Sequence, residues 1–187
     1  MAQECYTLSD RIVLSLRSCD GGCVVILLMG VAGAGKTTVG KLLASELGWI
    51  FADADDYHSA ANIEKMRNGI PLTDADRAPW LEALRNLISG WVEGKQPALL
   101  ACSALKSEYR LRLRVSPEVK IVYLKVSTPI LMQRLHARHG HYMTGKMLAS
   151  QLATLEEPED AIMIDGDRAP AEIVREIRER LGLGGDS

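Results

Sequence analysis

The sequence predicts an α/β fold, a single domain in which a five-stranded parallel sheet is flanked by helices. Apolar runs of strand length alternate with segments of helical period, the pattern of βαβ units. The first run, Cys23 to Met29, is apolar without interruption, as a strand buried on both faces requires. A Gly-rich segment separates that run from the first helical stretch, where an open α/β sheet places its ligand.

Helix 36–47 ends at Gly48, and a short strand 49–53 runs into carboxylates. Residues 62–68 read as a helix stopped by Gly69. A longer helix spans 76–93, with Pro79 tolerated in its first turn. The third strand is 97–102, followed by a helix over 104–114 and a fourth strand over 120–126. Thr128 and Pro129 read as an N-cap and first helical residue, opening a helix to about Arg138. A basic, Gly-containing loop leads to a helix over 146–155, a fifth strand at 161–165 and a closing helix 170–181. The domain is therefore expected over 23–183. Residues 1–22 are a poorly ordered or loosely packed extension, with a targeting segment as the alternative, and 184–187 are a frayed tail.

Composition narrows the function. With 22 Lys and Arg against 24 Asp and Glu, the formal net charge is -2. That balance argues against nucleic acid or a membrane surface as partner, since both need a concentrated basic face. No apolar run reaches the length of a membrane span. Cys5, Cys19, Cys23 and Cys102 form no CxxC pair, so a reduced, cytoplasmic protein is the simpler reading.

Gly30-Val31-Ala32-Gly33-Ala34-Gly35-Lys36-Thr37 fits the phosphate-loop pattern GxxxxGK[ST] without a mismatch. Glycines let backbone N–H groups curl around an anion, and the following helix offers its positive end. Lys36 would reach the β- and γ-phosphates of ATP, the Thr37 hydroxyl would ligate Mg²⁺, and Thr38 would complete the cradle. The motif predicts a P-loop nucleotide-binding protein, and alone it leaves GTPases, ATPases, nucleotide kinases and metabolite kinases open; an ATP-dependent small-molecule kinase is the reading that the residues beyond the loop favour. A guanine-reading NKxD is missing, and the third strand runs into Ser103 rather than an Asp. Acidic help for the metal is therefore expected from the second strand, read as lying beside the first. Asp53 and Asp55 alternate to one side of an extended chain. Asp53 is assigned to Mg²⁺ and Asp55 to the acceptor hydroxyl.

Lys106 and Arg110, spaced i, i+4, would offer cations to an acidic acceptor, with His58 and Arg77 as additions. Ser103 either donates to acceptor hydroxyls or caps the next helix. Trp80, Leu81, Leu84, Leu87, Ile88 and Trp91 fall at helical spacing and read as core. Arg134 and Arg138, before the His139-Gly140-His141 loop, suit a small lid over about 134–146 that brings guanidinium groups to the transferring phosphoryl. His136, His139 and His141 have no carboxylate or thiolate company and do not read as a metal site.

Several blocks carry a resemblance: Asp53-Ala-Asp-Asp-Tyr-His58, Asn62-Ile-Glu-Lys-Met66, Gly69-Ile-Pro-Leu72, Asp74-Ala-Asp-Arg77 and Pro79-Trp-Leu81. Ala101-Cys-Ser-Ala-Leu-Lys106 with Tyr109-Arg110, Arg134-Leu-His-Ala-Arg138 with Gly140-His141, and Gln151 through Leu155-Glu156 complete it. Together these resemble the gluconokinase family, similar in fold to shikimate kinase and adenylate kinase. The resemblance implies ATP-dependent phosphorylation of the 6-hydroxyl of D-gluconate with Mg²⁺, a small-molecule substrate, and an enzyme type that is often a homodimer. It supports lid roles for Arg134 and Arg138. Ala32, Ala34 and Thr37 stand where Ser is commoner in the family; Thr37 keeps the hydroxyl, and Ala32 and Ala34 leave the backbone cradle intact. A kinase for shikimate or another sugar acid, and a non-catalytic ATP-binding switch, are the competing readings.

Overall fold

A computed structural model describes residues 23–137 and 145–183. The expected extension, the tail, Arg138 and the histidine loop lie outside the described residues. The strands are β1 (Val25–Met29), β2 (Ile50–Asp53), β3 (Ala98–Ala101), β4 (Val119–Lys125) and β5 (Ile162–Asp165). They form one parallel sheet in the order β2-β3-β1-β4-β5. The helices are α1 (Lys36–Leu47), α2 (Ala60–Arg67), α3 (Asp74–Glu93), α4 (Ser107–Leu113), α5 (Thr128–His136), α6 (Gly145–Thr154) and α7 (Pro170–Leu181). No described helix is long and apolar enough to cross a membrane.

The period of two in the strands sorts side chains into two cores. Val25, Leu27 and Met29 of β1 join Leu100 and Tyr123 under α3 and α4, with Trp80, Leu84, Ile88 and Trp91. Ile26 and Leu28 face the other way, onto Val39 and Leu43 of α1 and Ile173 and Ile177 of α7. A third cluster, Val31, Leu105, Leu131 and Leu148, backs the Gly-rich loop with α5 and α6. At Gly40 a Cβ would stand 2.6 Å from the Phe51 ring and 2.9 Å from Leu99, so α1 packs on the sheet only because that residue has no side chain.

The order corrects one expectation: β2 is not beside β1, because β3 lies between them. Asp53 is in register with Ala101, and Ala101 with Leu28, so the carboxylate still ends level with the loop that leaves β1. Some boundaries also move for local reasons. Helix α3 starts at Asp74 because Thr73 and Asp76 form a capping box ahead of it. Helix α5 is preceded by Ser127 rather than capped by Thr128. Helix α4 begins only at Ser107, because Ala104 takes a left-handed φ of 43° that no helix accommodates.

Candidate active site

The carboxyl ends of β1, β2 and β3 open on a cavity of about 780 Å³, within the range of small-molecule sites. One wall is the phosphate loop. Gly33 and Gly35 take φ of 85° and 95°, and Gly35 is the N-cap of α1. Ala32, Gly33, Gly35, Lys36, Thr37 and Thr38 line the cavity. Val31 and Ala34 are buried behind it, anchoring the loop in the two cores on that side. Gly30 starts the turn at φ 151°, close against Leu124. Lys36 Nζ donates to the Val31 carbonyl at 3.1 Å, so the ammonium folds back across the loop's mouth.

The adjoining wall is acidic. Asp53 Oδ2 accepts from the Thr37 hydroxyl at 2.7 Å, and Oδ1 accepts from the Asp55 amide at 3.2 Å. Asp55 is therefore not on an extended chain. Asp53 caps a single 3₁₀ turn, Ala54–Tyr57, and that turn delivers Asp55 to the cavity. The turn is held from below, where Trp80 Nε1 donates to the Ala54 carbonyl at 2.7 Å. Trp80 also stacks on His58, with centroids 4.5 Å apart and planes within 10°. Read as core, Trp80 is core on one side and cavity wall on the other.

His58, Arg77 and Ser103 line the same cavity, with Met66, Gly69, Ile70, Pro71 and Leu72 from the segment joining α2 to α3. Ser103 caps nothing; the residue before α4 is Lys106. Burial, and secondarily the Arg77 charge, depress the His58 pKa from 6.5 to about 4, so the imidazole is neutral at physiological pH. Between those values the unfolded chain binds a proton that the folded one refuses. This contribution to stability is complete above pH 6.5 and declines as pH falls toward 4. Thermal melts should show Tm falling over that window, with a shallower fall for His58→Gln. Parallel curves for the two proteins would assign the acid sensitivity to other groups.

Two expected cations are elsewhere. Arg110 is turned into the protein, 6% exposed, and donates to the carbonyls of Ala104 at 3.1 Å and Leu105 at 3.0 Å. Lys106 donates to both oxygens of Asp74 at 2.8 and 2.7 Å, and neither it nor Arg110 lines the cavity. Tyr109 also donates to Asp74, and Lys106 and Tyr109 together hold that carboxyl below its usual range. Arg134 backs the phosphate loop. Its Nη2 donates to the Gly166 carbonyl at 2.9 Å, and Nη1 reaches the carbonyls of Ala34 at 3.4 Å and Gly33 at 3.5 Å.

Sequence reasoning gave no role to Gln151, whose Oε1 accepts from the Ala32 amide at 2.7 Å. Its only signal was membership of a family block. At the end of β3, burial pushes the Cys102 thiol up to about 12, which leaves it an inert packing residue.

A phosphate loop between a central strand and its helix, beside an acidic turn in one cavity that also holds Arg77, His58 and Ser103, defines a P-loop kinase acting on a small molecule. The shikimate kinase family model matches residues 32–182. Gluconokinase of Gluconobacter oxydans is 45% identical over 156 residues, 81% of this chain and 88% of that protein. Two crystal structures are 38% identical to this chain. A sugar kinase from Janibacter superposes with TM-score 0.79 over 86% of this chain and 95% of its own, and a gluconokinase from Sinorhizobium meliloti with 0.75 over 86% and 97%. The chain belongs to the gluconokinase family.

Proposed function

We propose that the protein transfers the γ-phosphoryl group of ATP to the 6-hydroxyl of D-gluconate, giving 6-phospho-D-gluconate and ADP. The observation that carries this reading is one cavity in which the phosphate loop faces Asp53 and Asp55, with Arg77, His58 and Ser103 beside them. The amides of Gly33 and of 35–38, with the Lys36 ammonium, hold the triphosphate; the expected amides of Ala32 and Ala34 are engaged by Gln151 and by the Val31 carbonyl. Thr37 and Asp53, already joined at 2.7 Å, form an all-oxygen pair of the kind Mg²⁺ favours and would hold that ion. When bound, it neutralises charge on the phosphate oxygens.

Asp55 orients the 6-hydroxyl and accepts its proton as oxygen attacks the γ-phosphorus in line with the departing ADP oxygen. Lys106 and Arg110 do not line the cavity; Arg77 does, with Asp74 3.8 Å from its guanidinium, and it is the cation for the sugar-acid carboxylate. Neutral His58 and Ser103 serve its hydroxyls. Arg134 buttresses the loop through its carbonyls, leaving the amides to the phosphates; Arg138 keeps its proposed place at the lid. The buried, unreactive Cys102 suits a reduced compartment, and we place the enzyme in the cytoplasm.

A panel of acceptors in a coupled ADP-release assay tests the substrate. D-gluconate should give the highest kcat/KM, and a preference for shikimate or another sugar acid would overturn the assignment.

A further inference from the structure

Arg110 poses a physical problem. Burying a guanidinium is costly unless its donors are matched. Among the described residues its hydrogen-bond partners are main-chain carbonyls, those of Ala104 and Leu105, and no carboxylate comes within ion-pair distance. An apolar side chain would fill the same space without that penalty, so the charge has a task tied to those two oxygens.

The task is visible in the backbone they belong to. Ala104 is fully buried and sits at φ 43°, a conformation L-residues avoid and that persists only where the surroundings impose it. The start of this loop is pinned to the central strand by the Cys102 amide on the Leu28 carbonyl, at 3.0 Å. Its far end is pinned to the segment after α6. The Glu156 amide donates to the Leu105 carbonyl at 2.9 Å, and the Glu156 carboxylate accepts from the Ser107 amide at 2.7 Å. Arg110, one turn into α4, closes the middle. Between the pins lies Ser103, facing the acceptor side of the cavity.

We propose that Arg110 is a positioning residue for the acceptor: its guanidinium locks loop 102–106 in the left-handed turn at Ala104 that presents Ser103 to the sugar acid. This rests on the functional reading above and assigns Arg110 to the shape of the acceptor site rather than to contact with the substrate.

The test uses the full chain and four variants: R110M, R110K, A104G and the double variant R110M/A104G. R110M should lower kcat/KM for gluconate by roughly tenfold or more while the KM for ATP changes less than about twofold. R110K should fall between, because an ammonium lacks the fork that meets two carbonyls at once. Glycine adopts positive φ unaided, so A104G in the R110M background should restore at least about threefold of the lost gluconate kcat/KM. If the double variant regains Tm without regaining gluconate kinetics, or if R110M melts lower but turns gluconate over normally, Arg110 is merely structural and the proposal fails. Should R110M not fold, R110K and R110K/A104G carry the same comparison.

Wild-type protein without gluconate-dependent ADP release would overturn the functional reading instead. The clamp itself is then decided by hydrogen exchange at the Glu156 amide. Acceleration of about tenfold or more in R110M, or R110K in its place, supports it, and unchanged exchange refutes it.

Discussion

Lys36→Ala is expected to lower kcat/KM by about a thousandfold or more while leaving the fold intact. The ammonium lies across the mouth of the phosphate loop, held at 3.1 Å by the Val31 carbonyl, where the β- and γ-phosphates would sit. One unit charge about 4 Å from another is worth about 4 kcal/mol at the effective dielectric of a partly exposed site. That corresponds to about three powers of ten in rate if the interaction strengthens as charge develops on the transferring group. Lys36 belongs to the first turn of α1, and the hydrophobic face that docks α1 is Val39, Leu43 and Ala44, so truncation should leave Tm nearly unchanged. Single-turnover kinetics at saturating ATP separate lost binding from lost chemistry. Activity within tenfold of wild type would remove the ammonium from the transition state.

How far such roles can be read from the chain depends on whether the determinant is local. The phosphate loop is legible because its requirements are contiguous: glycines at positive φ, an amide array, a lysine and a hydroxyl within eight residues. The strands of the fold are legible for a related reason, since continuous apolar runs such as 25–29 demand burial on both faces. Strand order is not local. The insertion of β3 between β1 and β2 depends on crossovers that no short window encodes.

The cations show the same boundary. Spacing reads Lys106 and Arg110 as neighbours on one helical face, but Lys106 is the residue before α4 and the two side chains point to different partners. Backbone and tertiary context decided this: Asp74, 32 residues away at the start of α3, engages Lys106, and the nearby carbonyls of Ala104 and Leu105, turned by the left-handed residue at 104, engage Arg110. Asp55 reached the cavity by a route the pattern did not anticipate, a capped 3₁₀ turn in place of an extended strand. The residue type and its distance from the sheet were legible, and the backbone that aims it was not. Gln151 is the limiting case, a helix-borne amide whose partner, the Ala32 amide, lies 119 residues away in sequence.

Asp55→Asn should lower kcat by about 10²- to 10⁴-fold, the contribution of a positioned general base, with the KM for ATP changed less than about threefold. The proposed mechanism gives the two neighbouring carboxylates different tasks. Both oxygens of Asp53 accept protein hydrogen bonds, from the Thr37 hydroxyl and the Asp55 amide, which ties that side chain to the nucleotide wall. Asp55 lines the same cavity on a turn capped by Asp53 and held by Trp80 at the Ala54 carbonyl. Asparagine keeps the shape and can still orient a hydroxyl, but it cannot take the proton. The turn should therefore stay intact, and ATP affinity with it, while chemistry slows. Asp53→Asn should behave differently, weakening ATP use in the presence of Mg²⁺ because it alters the oxygen pair beside Thr37. The separation is sharpest in paired measurements of ATP binding and of single-turnover phosphoryl transfer to gluconate. If Asp55→Asn keeps wild-type kcat, the proton goes elsewhere; if it loses ATP binding and chemistry together, the two carboxylates act as one metal-holding unit and the division of labour between them is wrong.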